Sequence, residues 1–452
     1  MKLLSSIKDI FSRLTVRGSF VQNIAYSLSG NVFVLGIGFL LTPIIARIYG
    51  PSAYGQFAIF TAIASLIQPI STFQLQAGYV AAKNDEEFSS LIKISFLTLV
   101  ATSLLVLLGS LIYISIGSIP KFSEQLALFL PLYIFFAGLF SIVRGWNIKL
   151  EEFKRSAQSK VIATLTGKST TLGFGWIIAQ SAMGMIYGSL VSFIIESVGY
   201  VSKKMRKSIK MVLRANLTIK SLKQAMKNFS GYPKYVTTNS IINNFSTQIP
   251  IYFIAAWYTT EKVGLFSLSL SLITIPINLI GTSIGAVFLP KISTIIYDSE
   301  LRNKTIVTLY KKLFYPGLLG LILLALILKL ALPVILGASW QGASQLSAFI
   351  ALSFTFAIVS IPISVTYRLI NFEQVNLSIT IIFIFLKIAG LASGLIMGNF
   401  IYSIFGYFAA SILHNAAQVF FLFKKLEIKT NFLLRDLFIS ISVFLIAYLL
   451  TY

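Results

Sequence analysis

The chain has 452 residues, of which 56% are hydrophobic and only 11% are charged. Because soluble domains carry about a quarter charged residues, this composition excludes an ordinary soluble globular protein. The net charge of +23 would suggest nucleic-acid binding in a soluble chain, so the placement of the cations decides its meaning. The absence of cysteine excludes disulfide bonds, thiolate metal sites and cysteine nucleophiles.

Residues 1–21 are predicted to form an amphipathic helix on the cytoplasmic face of a membrane. Apolar residues recur at helical spacing between Leu3 and Leu14, and basic residues lie among them. The segment has neither the apolar core nor the cleavage site of a signal peptide. We therefore expect it to lie along the membrane surface.

Twelve apolar stretches follow, each long enough to cross about 30 Å of hydrocarbon as a helix. A thirteenth apolar run, Leu437 to Tyr452, is short and ends the chain. The sequence therefore predicts an all-α polytopic membrane protein with about twelve transmembrane helices and a possible thirteenth. The predicted spans are Gln22 to Ala46, Phe57 to Ala82, Ile94 to Ile116, Leu126 to Val143, Val161 to Ala179, Gly184 to Ser202, Tyr235 to Tyr258, Leu265 to Pro290, Leu313 to Leu332, Leu346 to Thr366, Leu377 to Met397 and Ile401 to Phe423.

The basic residues are concentrated in alternate loops, on one side of the predicted membrane. The N-terminal tail and the even-numbered loops hold 31 of the 37 Lys and Arg residues, and the odd-numbered loops hold 3. The remaining three, Lys168, Lys329 and Lys387, lie inside spans. Because cytoplasmic loops keep the positive residues, the N-terminus and the loop after span twelve are predicted to be cytoplasmic. The charge is thus a topology signal, and no nucleic acid is expected as a partner.

One long cytoplasmic connection divides the spans into two sets of six. This linker, residues 203–234, contains ten Lys or Arg residues and an apolar stripe suited to an interfacial helix. We expect an N-lobe over residues 22–202, a C-lobe over 235–424, and a cytoplasmic segment with a possible extra span over 425–452. The halves also match at an offset of 209 residues, which favours an internal repeat. The matched pairs are Ala46 with Ala255, Tyr49 with Tyr258, Gly55 with Gly264, and Phe57 with Phe266.

Short motifs resemble a known transporter family. The run from Leu41 to Gly55, LTPIIARIYGPSAYG, resembles the first hairpin of bacterial polysaccharide flippases of the multidrug/oligosaccharidyl-lipid/polysaccharide (MOP) exporter superfamily. VGLF at Val263 to Phe266 and LPKIS at Leu289 to Ser293 are similar to the elements that open the second half in that family. The lone run after span twelve departs from the family pattern and leaves the side of the C-terminus open.

The resemblance implies two six-helix lobes that form a V around a central cavity, with alternating access to each side of the membrane. It also implies an undecaprenyl-diphosphate-linked oligosaccharide as cargo, flipped across the bacterial inner membrane for O-antigen or capsule assembly. No cofactor or metal is implied, although a coupling cation, H⁺ or Na⁺, can drive such transport. The implied protein is a transporter and not an enzyme.

Ionisable residues inside spans are costly and are therefore functional candidates. Lys387 in span eleven and Lys168 in span five lie on equivalent helices of the two halves. Their ammonium groups are predicted to bind the diphosphate in a central cavity. The alternative for Lys387 is a lysine satisfied by carbonyl groups of a neighbouring helix.

Two further residues are candidates for ion coupling. Glu196 lies about six residues from the cytoplasmic end of span six, at a depth that would allow an ion pair with Lys168. His414, the only histidine, lies in the middle of span twelve and titrates near neutral pH in its unperturbed state. A structural ion pair and a hydrogen-bonded packing histidine remain the alternatives.

Two arginines near span ends complete the predicted substrate site. Arg47 lies at the outer end of span one within the LTPIIARIYGPSAYG motif, and Arg144 ends span four on the cytoplasmic side. Either residue could meet a phosphate or anchor its helix at the headgroups. Lys329 lacks such a motif and is expected to reach the headgroup region.

Two other functions were compared with the flippase. A multidrug exporter of the same superfamily would bind cations and suit an acidic or aromatic cavity, whereas this chain offers lysines. A membrane glycosyltransferase or polymerase needs an acid or base and often a metal. The odd-numbered loops carry only Glu124 and Glu261, no Asp-x-Asp pair occurs, and no large outer loop exists to house a site.

Overall fold

In the computed structural model the chain is helical, and the structure describes residues 20–117, 121–215 and 218–451. No strand occurs in these ranges. Helix is the expected state because hydrocarbon offers no partners to backbone N–H and C=O groups, and a helix satisfies them within its own segment. The predicted all-α class is therefore confirmed. The amphipathic helix predicted for residues 1–21 lies outside the described ranges apart from its last two residues.

The first helix, α1 (Phe20–Ser71), contains most of the first two predicted spans in one 52-residue element. It is interrupted at Gly50, where φ is 71° and ψ is 170°. Glycine adopts a positive φ without steric cost, so the motif glycine supplies the turn between the two spans. A 3₁₀ helix (Leu75–Ala81) then completes the second predicted span.

Four helices continue this half of the chain: α2 (Asp85–Ile116), α3 (Glu124–Lys149), α4 (Phe153–Ile177) and α5 (Ala182–Gly199). Many apolar side chains of α2 are exposed, among them Leu104, Leu105 and Leu108. Large exposed apolar faces are unfavourable in water and are expected against lipid tails.

The linker forms two short amphipathic helices, α6 (Lys203–Arg214) and α7 (Ile219–Asn228). Met205 and Val212 pack into an apolar cluster with Tyr79 and Trp146 of the first half, while the basic side chains of the linker are exposed. A π-helical turn (Tyr232–Thr237) leads into the next span. The linker is thus packed against the first half along its apolar side.

The second half begins with α8 (Thr238–Trp257), α9 (Thr260–Thr294) and α10 (Ser299–Leu336). The predicted tenth span is a broken helix and not a continuous one. After a 3₁₀ turn (Ala338–Trp340), it consists of α11 (Gln341–Leu352), α12 (Ala357–Ile363) and α13 (Val365–Leu369), with a 54° bend between its two parts. The last helices are α14 (Glu373–Ile396), α15 (Phe400–Lys425) and α16 (Asn431–Leu449).

The chain divides into two compact units within α8. One unit contains the chain up to Tyr49 and Gln56–Gln248, and the other contains Gly50–Gly55 and Ile249–Tyr452. The sequence analysis instead placed the division at the linker, residues 203–234. The start of α8 belongs to the first unit because the Asn244 side-chain amide donates a hydrogen bond of 2.6 Å to the carbonyl of Ser65.

Across the described ranges, nine helices are long and apolar enough to cross a membrane, or ten if the broken pair counts as one span. The first of these is α1, which contains two predicted spans. The fifth and seventh predicted spans correspond to α4 and α8, which are not among the nine. Because α4 carries Lys160 and Lys168, its polarity explains its weaker apolar signal.

The motif glycines of the two halves pack against each other within the second unit. A methyl group at Gly55 would overlap the carbonyl oxygen of Thr260, and one at Gly264 would overlap the carbonyl oxygen of Pro51. Pro51 and Thr260 are themselves 209 residues apart, like the two glycines. A contact that is reciprocal in this way is characteristic of two-fold symmetry and supports the internal repeat.

Helix α16 runs in the same direction as α10. Asp436, near the start of α16, accepts a hydrogen bond of 3.0 Å from the hydroxyl of Tyr310. At the other end, the carbonyl of Leu450 accepts one of 3.0 Å from Lys329, which lies 19 residues after Tyr310 on α10. The thirteenth apolar run therefore belongs to a helix that is parallel to α10 and is hydrogen-bonded to it near both of its own ends.

Candidate substrate and ion-coupling site

Lys387 and His414 form a buried pair between α14 and α15. Lysine Nζ lies 3.1 Å from histidine Nδ1, and each residue is only 8% exposed. The two helices approach closely here because Gly390 faces Gly406, where a methyl group on either would overlap the other's carbonyl oxygen. Small residues at such a crossing let membrane helices approach backbone to backbone. The sequence pointed to both ionisable residues but not to their pairing.

The geometry of this pair restricts its protons. When Lys387 is an ammonium, which is only a donor, Nδ1 of His414 accepts its hydrogen bond and the proton of the neutral imidazole resides on Nε2. That Nε2 group is buried and has no hydrogen-bond partner. An unsatisfied buried polar group of this kind costs about 1–3 kcal/mol, which makes His414 an unusual packing residue.

Aromatic side chains enclose the pair. The imidazole stacks on Phe383, with ring centroids 5.2 Å apart, and Nζ of Lys387 lies 5.9 Å from the centre of the Tyr407 ring. A cation near an aromatic face is stabilised by the ring quadrupole. The ammonium is thus held by one imidazole nitrogen and one phenol ring, and not by the carbonyl groups of a neighbouring helix that the sequence left as the alternative.

Lys168 lies in the middle of α4, next to the close crossing of α4 and α5 at Gly167 and Gly188. Its side chain is half-buried and has no hydrogen-bond partner among the described residues. The ion pair with Glu196 considered from the sequence is not formed. Ion pairs seen within the described ranges include Arg368 with Glu373 and Arg435 with Asp436, and neither involves Lys168 or Glu196.

Glu196 of α5 instead belongs to a polar cluster nearer the cytoplasmic ends of the helices. It is 9% exposed and accepts a 2.6 Å hydrogen bond from the Tyr200 hydroxyl. Lys160 and Arg144 interact with it electrostatically, and Lys160 donates a 2.6 Å hydrogen bond to Asn31. Lys160 lies eight residues, about two helical turns, before Lys168 on α4, and the antiparallel packing of α4 and α5 brings Lys160 to Glu196 instead of Lys168.

The two predicted arginines lie at the surface. Arg47 on α1 and Arg144 on α3 both have exposed side chains. Of the two, Arg144 is the one whose charge acts on the cluster around Glu196. Lys329 reaches the carbonyl of Leu450 at the end of α16.

A second buried carboxylate was missed by the sequence analysis. Asp436 is 0% exposed and accepts hydrogen bonds from Tyr310 at 3.0 Å and Tyr315 at 3.2 Å. Arg435 pairs with it at 3.1 Å and also contacts the Tyr315 hydroxyl. Arg435 and Asp436 directly precede the thirteenth apolar run, which was predicted to begin at Leu437. A helix that begins a few residues earlier contains both charged residues. All acceptor atoms of this carboxylate have partners, which is typical of a structural anchor.

None of these clusters is suited to a metal ion. Among the described residues there is no group of three or more His, Asp or Glu side chains that could hold one. Among the described residues the buried Lys, His, Asp and Glu side chains are two bases, Lys387 and His414, and two carboxylates, Glu196 and Asp436. Both carboxylates accept hydrogen bonds. The arrangement can therefore bind an anion or exchange a proton.

Long apolar helices in two compact units, with basic side chains inside them, define a multi-pass membrane protein. A family model described as polysaccharide biosynthesis protein matches residues 44–345. The chain belongs to this family. No curated protein sequence is a significant match.

Solved structures show the same fold. The structure of the lipid II flippase MurJ in an inward closed conformation is similar at a TM-score of 0.67 with 14% identity, covering 95% of this chain and 98% of that chain. An inward-facing multidrug resistance MATE family transporter of the MOP superfamily has a TM-score of 0.55 and 16% identity, with 92% and 98% covered. A MOP superfamily transporter from Pyrococcus furiosus has a TM-score of 0.53 and 14% identity, with 90% and 95% covered. The resemblance seen in the motifs is thus confirmed at the level of family and fold.

Proposed function

We propose that the protein is an alternating-access flippase for an undecaprenyl-diphosphate-linked oligosaccharide. It would move this lipid from the cytoplasmic to the outer leaflet of the bacterial inner membrane, for assembly of O-antigen or capsule. Its N-terminus would lie in the cytoplasm. Membership of a polysaccharide biosynthesis family and the fold shared with a lipid II flippase support this class of cargo.

The observation that carries the proposal is the sign of the charge inside the spans. Lys387 is buried and Lys168 is half-buried without a carboxylate bonded to either. Burying an unpaired cation is costly, so its retention is explained if an anion completes the site during transport. A diphosphate supplies such an anion. We assign Lys168, Lys387, Arg47 and Arg144 to recognition of the diphosphate, and Glu196 and His414 to ion coupling.

The runner-up is a multidrug exporter, because MATE transporters share the fold. A cationic drug needs a carboxylate that is free to receive it. In the part of the chain that is described, Asp436 is bonded to Arg435 and two tyrosines, and Glu196 lies among Tyr200, Lys160 and Arg144. This pattern favours an anionic cargo over a cationic one. A glycosyltransferase is less well supported still, since no metal-binding cluster was found among these residues.

The test is transport by the purified protein in liposomes. A fluorescent undecaprenyl-diphosphate-linked glycan in the inner leaflet should reach the outer leaflet, where an added lectin or quencher detects it. Ethidium, a cationic drug probe, should not be moved. Flipping of the glycan with no ethidium transport supports the proposal. The reverse result would overturn it in favour of the multidrug exporter.

A further inference from the structure

The pair Lys387 and His414 consists of two bases that face each other. Their nitrogens are 3.1 Å apart, and a hydrogen bond at this distance needs one proton between them and one bare lone pair. Two positive charges at that separation would repel each other strongly in a low-dielectric interior. The pair therefore holds at most one positive charge, and it holds that charge when Lys387 is an ammonium and the imidazole is neutral.

Among the described residues no carboxylate acts electrostatically on Lys387 or His414. Tyr258, which directly follows α8, and helices α9 and α10 contact α15 away from the pair, at Ser403, Phe400 and Phe423. On α13, Arg368 pairs with Glu373 at the exposed start of α14. On α16, Asp436 is bonded to Arg435. Helix α12 contains no titratable side chain. The phenol of Tyr407, on α15 itself, contacts the ammonium through its ring face. Electrostatic effects on His414 from titratable groups come from Lys387.

The unpartnered Nε2 gives this pair a path for a proton. The proton on Nζ can pass to Nδ1 along the existing hydrogen bond, and the N–H bond at Nε2 then breaks and releases a proton to water. Lysine is left as a neutral amine and histidine as the tautomer with its proton on Nδ1. One proton has left the site, and the charges balance. A stacked imidazole that is partnered on one nitrogen and free on the other is arranged for this relay.

We propose that Lys387 and His414 together are the proton-binding site of the transporter, so that its coupling ion is H⁺ and not Na⁺. This inference rests on the proposed transport function and deepens it. Sodium prefers several oxygen ligands, as hard cations do, whereas this site offers two nitrogens and a competing positive charge. Loss of the proton would also remove the charge with which Lys387 attracts a diphosphate, so that proton and cargo binding are linked.

The helices themselves cannot open this site readily. Gly390 and Gly406 hold α14 and α15 backbone to backbone, and Gly394 packs equally closely on Ser403. The change between the protonated and neutral forms is therefore confined to the two side chains and to the access of water to Nε2. His414 is a positioning and relay residue in this scheme, since it acts on the cargo through Lys387.

The single histidine makes a direct measurement possible. In protein labelled with nitrogen-15 histidine and held in lipid nanodiscs, no residue assignment is needed, and the couplings to the ring protons tell Nδ1 from Nε2 and so report the tautomer. We expect a bare Nδ1 and a protonated Nε2 at neutral pH. Lys387→Met removes the donor to Nδ1, so this tautomer preference should be lost. A protonated Nδ1 in the wild type would overturn the proposal.

The coupling is tested by glycan flipping in proteoliposomes under an imposed pH gradient or Na⁺ gradient. In the wild type, the pH gradient should change the initial rate and the Na⁺ gradient should not. His414→Gln keeps a hydrogen-bond acceptor for Lys387 but cannot relay a proton, so its rates with and without the pH gradient should become equal. Ser378→Ala, at an exposed position of α14, is the matched control and should respond like the wild type.

The outcomes separate this inference from the proposed function. Glycan flipping that ignores the pH gradient, or that responds to Na⁺, overturns proton coupling and leaves the flippase intact. A pH-gradient response retained in His414→Gln overturns the role of the pair. If the wild type flips no glycan, the proposed function fails, and the tautomer measurement alone then decides whether the pair is built as a proton site.

Discussion

Lys387 lies in the interior of a membrane protein, and among the residues that the structure describes its surroundings contain one imidazole and aromatic rings but no carboxylate. Neutral partners of this kind hold an ammonium in place without cancelling its charge. The residual positive charge is then available to a mobile anion. A carboxylate partner would have made the same lysine a structural element.

Replacing Lys387 by Met should lower glycan flipping about 10- to 100-fold, because a hydrogen bond to a charged group is worth about 1.5–3 kcal/mol. Lys387→Arg should keep part of the activity, since the charge remains but a planar guanidinium differs in fit from a compact ammonium. Initial flipping rates in proteoliposomes measure both effects.

The matched control is Lys329→Met, another lysine inside a predicted span that contacts only a backbone carbonyl among the interactions described. It should flip the glycan at close to the wild-type rate. Protein level must be followed for each variant, because a misfolded protein would also lose transport. Wild-type flipping by well-folded Lys387→Met would show that this charge is dispensable.

Glu196→Gln distinguishes the two candidates for ion coupling. Glutamine can still accept the Tyr200 hydrogen bond, but it removes the negative charge that faces Lys160 and Arg144. If Lys387 and His414 carry the proton, Glu196→Gln should keep the response to a pH gradient while its thermal stability falls. Loss of the pH-gradient response in a stable Glu196→Gln protein would instead assign the coupling to Glu196.

The sequence revealed which ionisable residues lie inside the spans but not how they pair. Lys387 and His414 are 27 residues apart on neighbouring helices, and their contact depends on the rotation of each helix about its axis. Glycine spacing predicts that two helices pack closely, yet it leaves the facing residues undetermined. For the same reason, Glu196 was considered with Lys168, although the register of α4 and α5 places Lys160 near it.

At the scale of the helices, the contact between Gly55 and Gly264 depends on the absence of side chains. Gly55→Ala places a methyl group on the carbonyl of Thr260, and Gly264→Ala places one on the carbonyl of Pro51. Backbone atoms cannot move aside as a flexible side chain can, so each change should destabilise the protein by about 1–3 kcal/mol or more. The loss of monodisperse protein on heating, followed by size-exclusion chromatography, measures this.

Gly36→Ala and Gly38→Ala are matched controls on the same helix, because nothing lies within 4 Å of a methyl group at either position. They should leave thermal stability unchanged or raise it slightly, since alanine favours helix. Equal stability of Gly55→Ala and Gly36→Ala would contradict the close contact and weaken the case for the repeat.

Asp436 is expected to fasten α16 to α10. Asp436→Leu leaves the buried hydroxyl of Tyr310 without its acceptor and Arg435 without its ion pair. Arg435 is exposed and remains solvated, but an unsatisfied buried hydroxyl costs about 1–3 kcal/mol, so thermal stability should fall. Phe438→Leu, at a residue that is 73% exposed, should have little effect. A stable Asp436→Leu protein would show that apolar packing alone holds α16.

Each helix that is apolar enough to cross a membrane in the described ranges overlaps an apolar run of the sequence, but the runs did not predict the shape of each helix. The first two spans follow each other without a loop because a single positive φ at Gly50 makes the turn between them. The tenth span is broken between α11 and α12, where Ser353 and Thr355 are buried. A hydropathy average over about twenty residues spans both sides of such a break, so the average does not reveal where the helix is broken. Asp436 was missed because a charged residue at the margin of an apolar run was taken to lie outside it.

At the scale of the whole molecule, charge and packing together predict the side of each terminus. The basic start of α10, with Arg302, Lys304 and Lys311, is expected in the cytoplasm. Because α16 runs in the same direction as α10, its start also lies on the cytoplasmic side and its end on the outer side. The C-terminus, which the sequence left open, should therefore be extracytoplasmic.

Single cysteines in this cysteine-free chain test this topology in intact cells. An impermeant maleimide added outside should label cysteine introduced at Leu450, which is 72% exposed, and at Glu261 between the seventh and eighth spans. It should not label cysteine at Ser221 in the basic linker until the cells are opened. Labelling of the cysteine at Ser221 from outside would show that the predicted topology is inverted. Labelling at Glu261 but not at Leu450 would show that α16 does not cross the membrane, and that its contacts with α10 must be formed in another way.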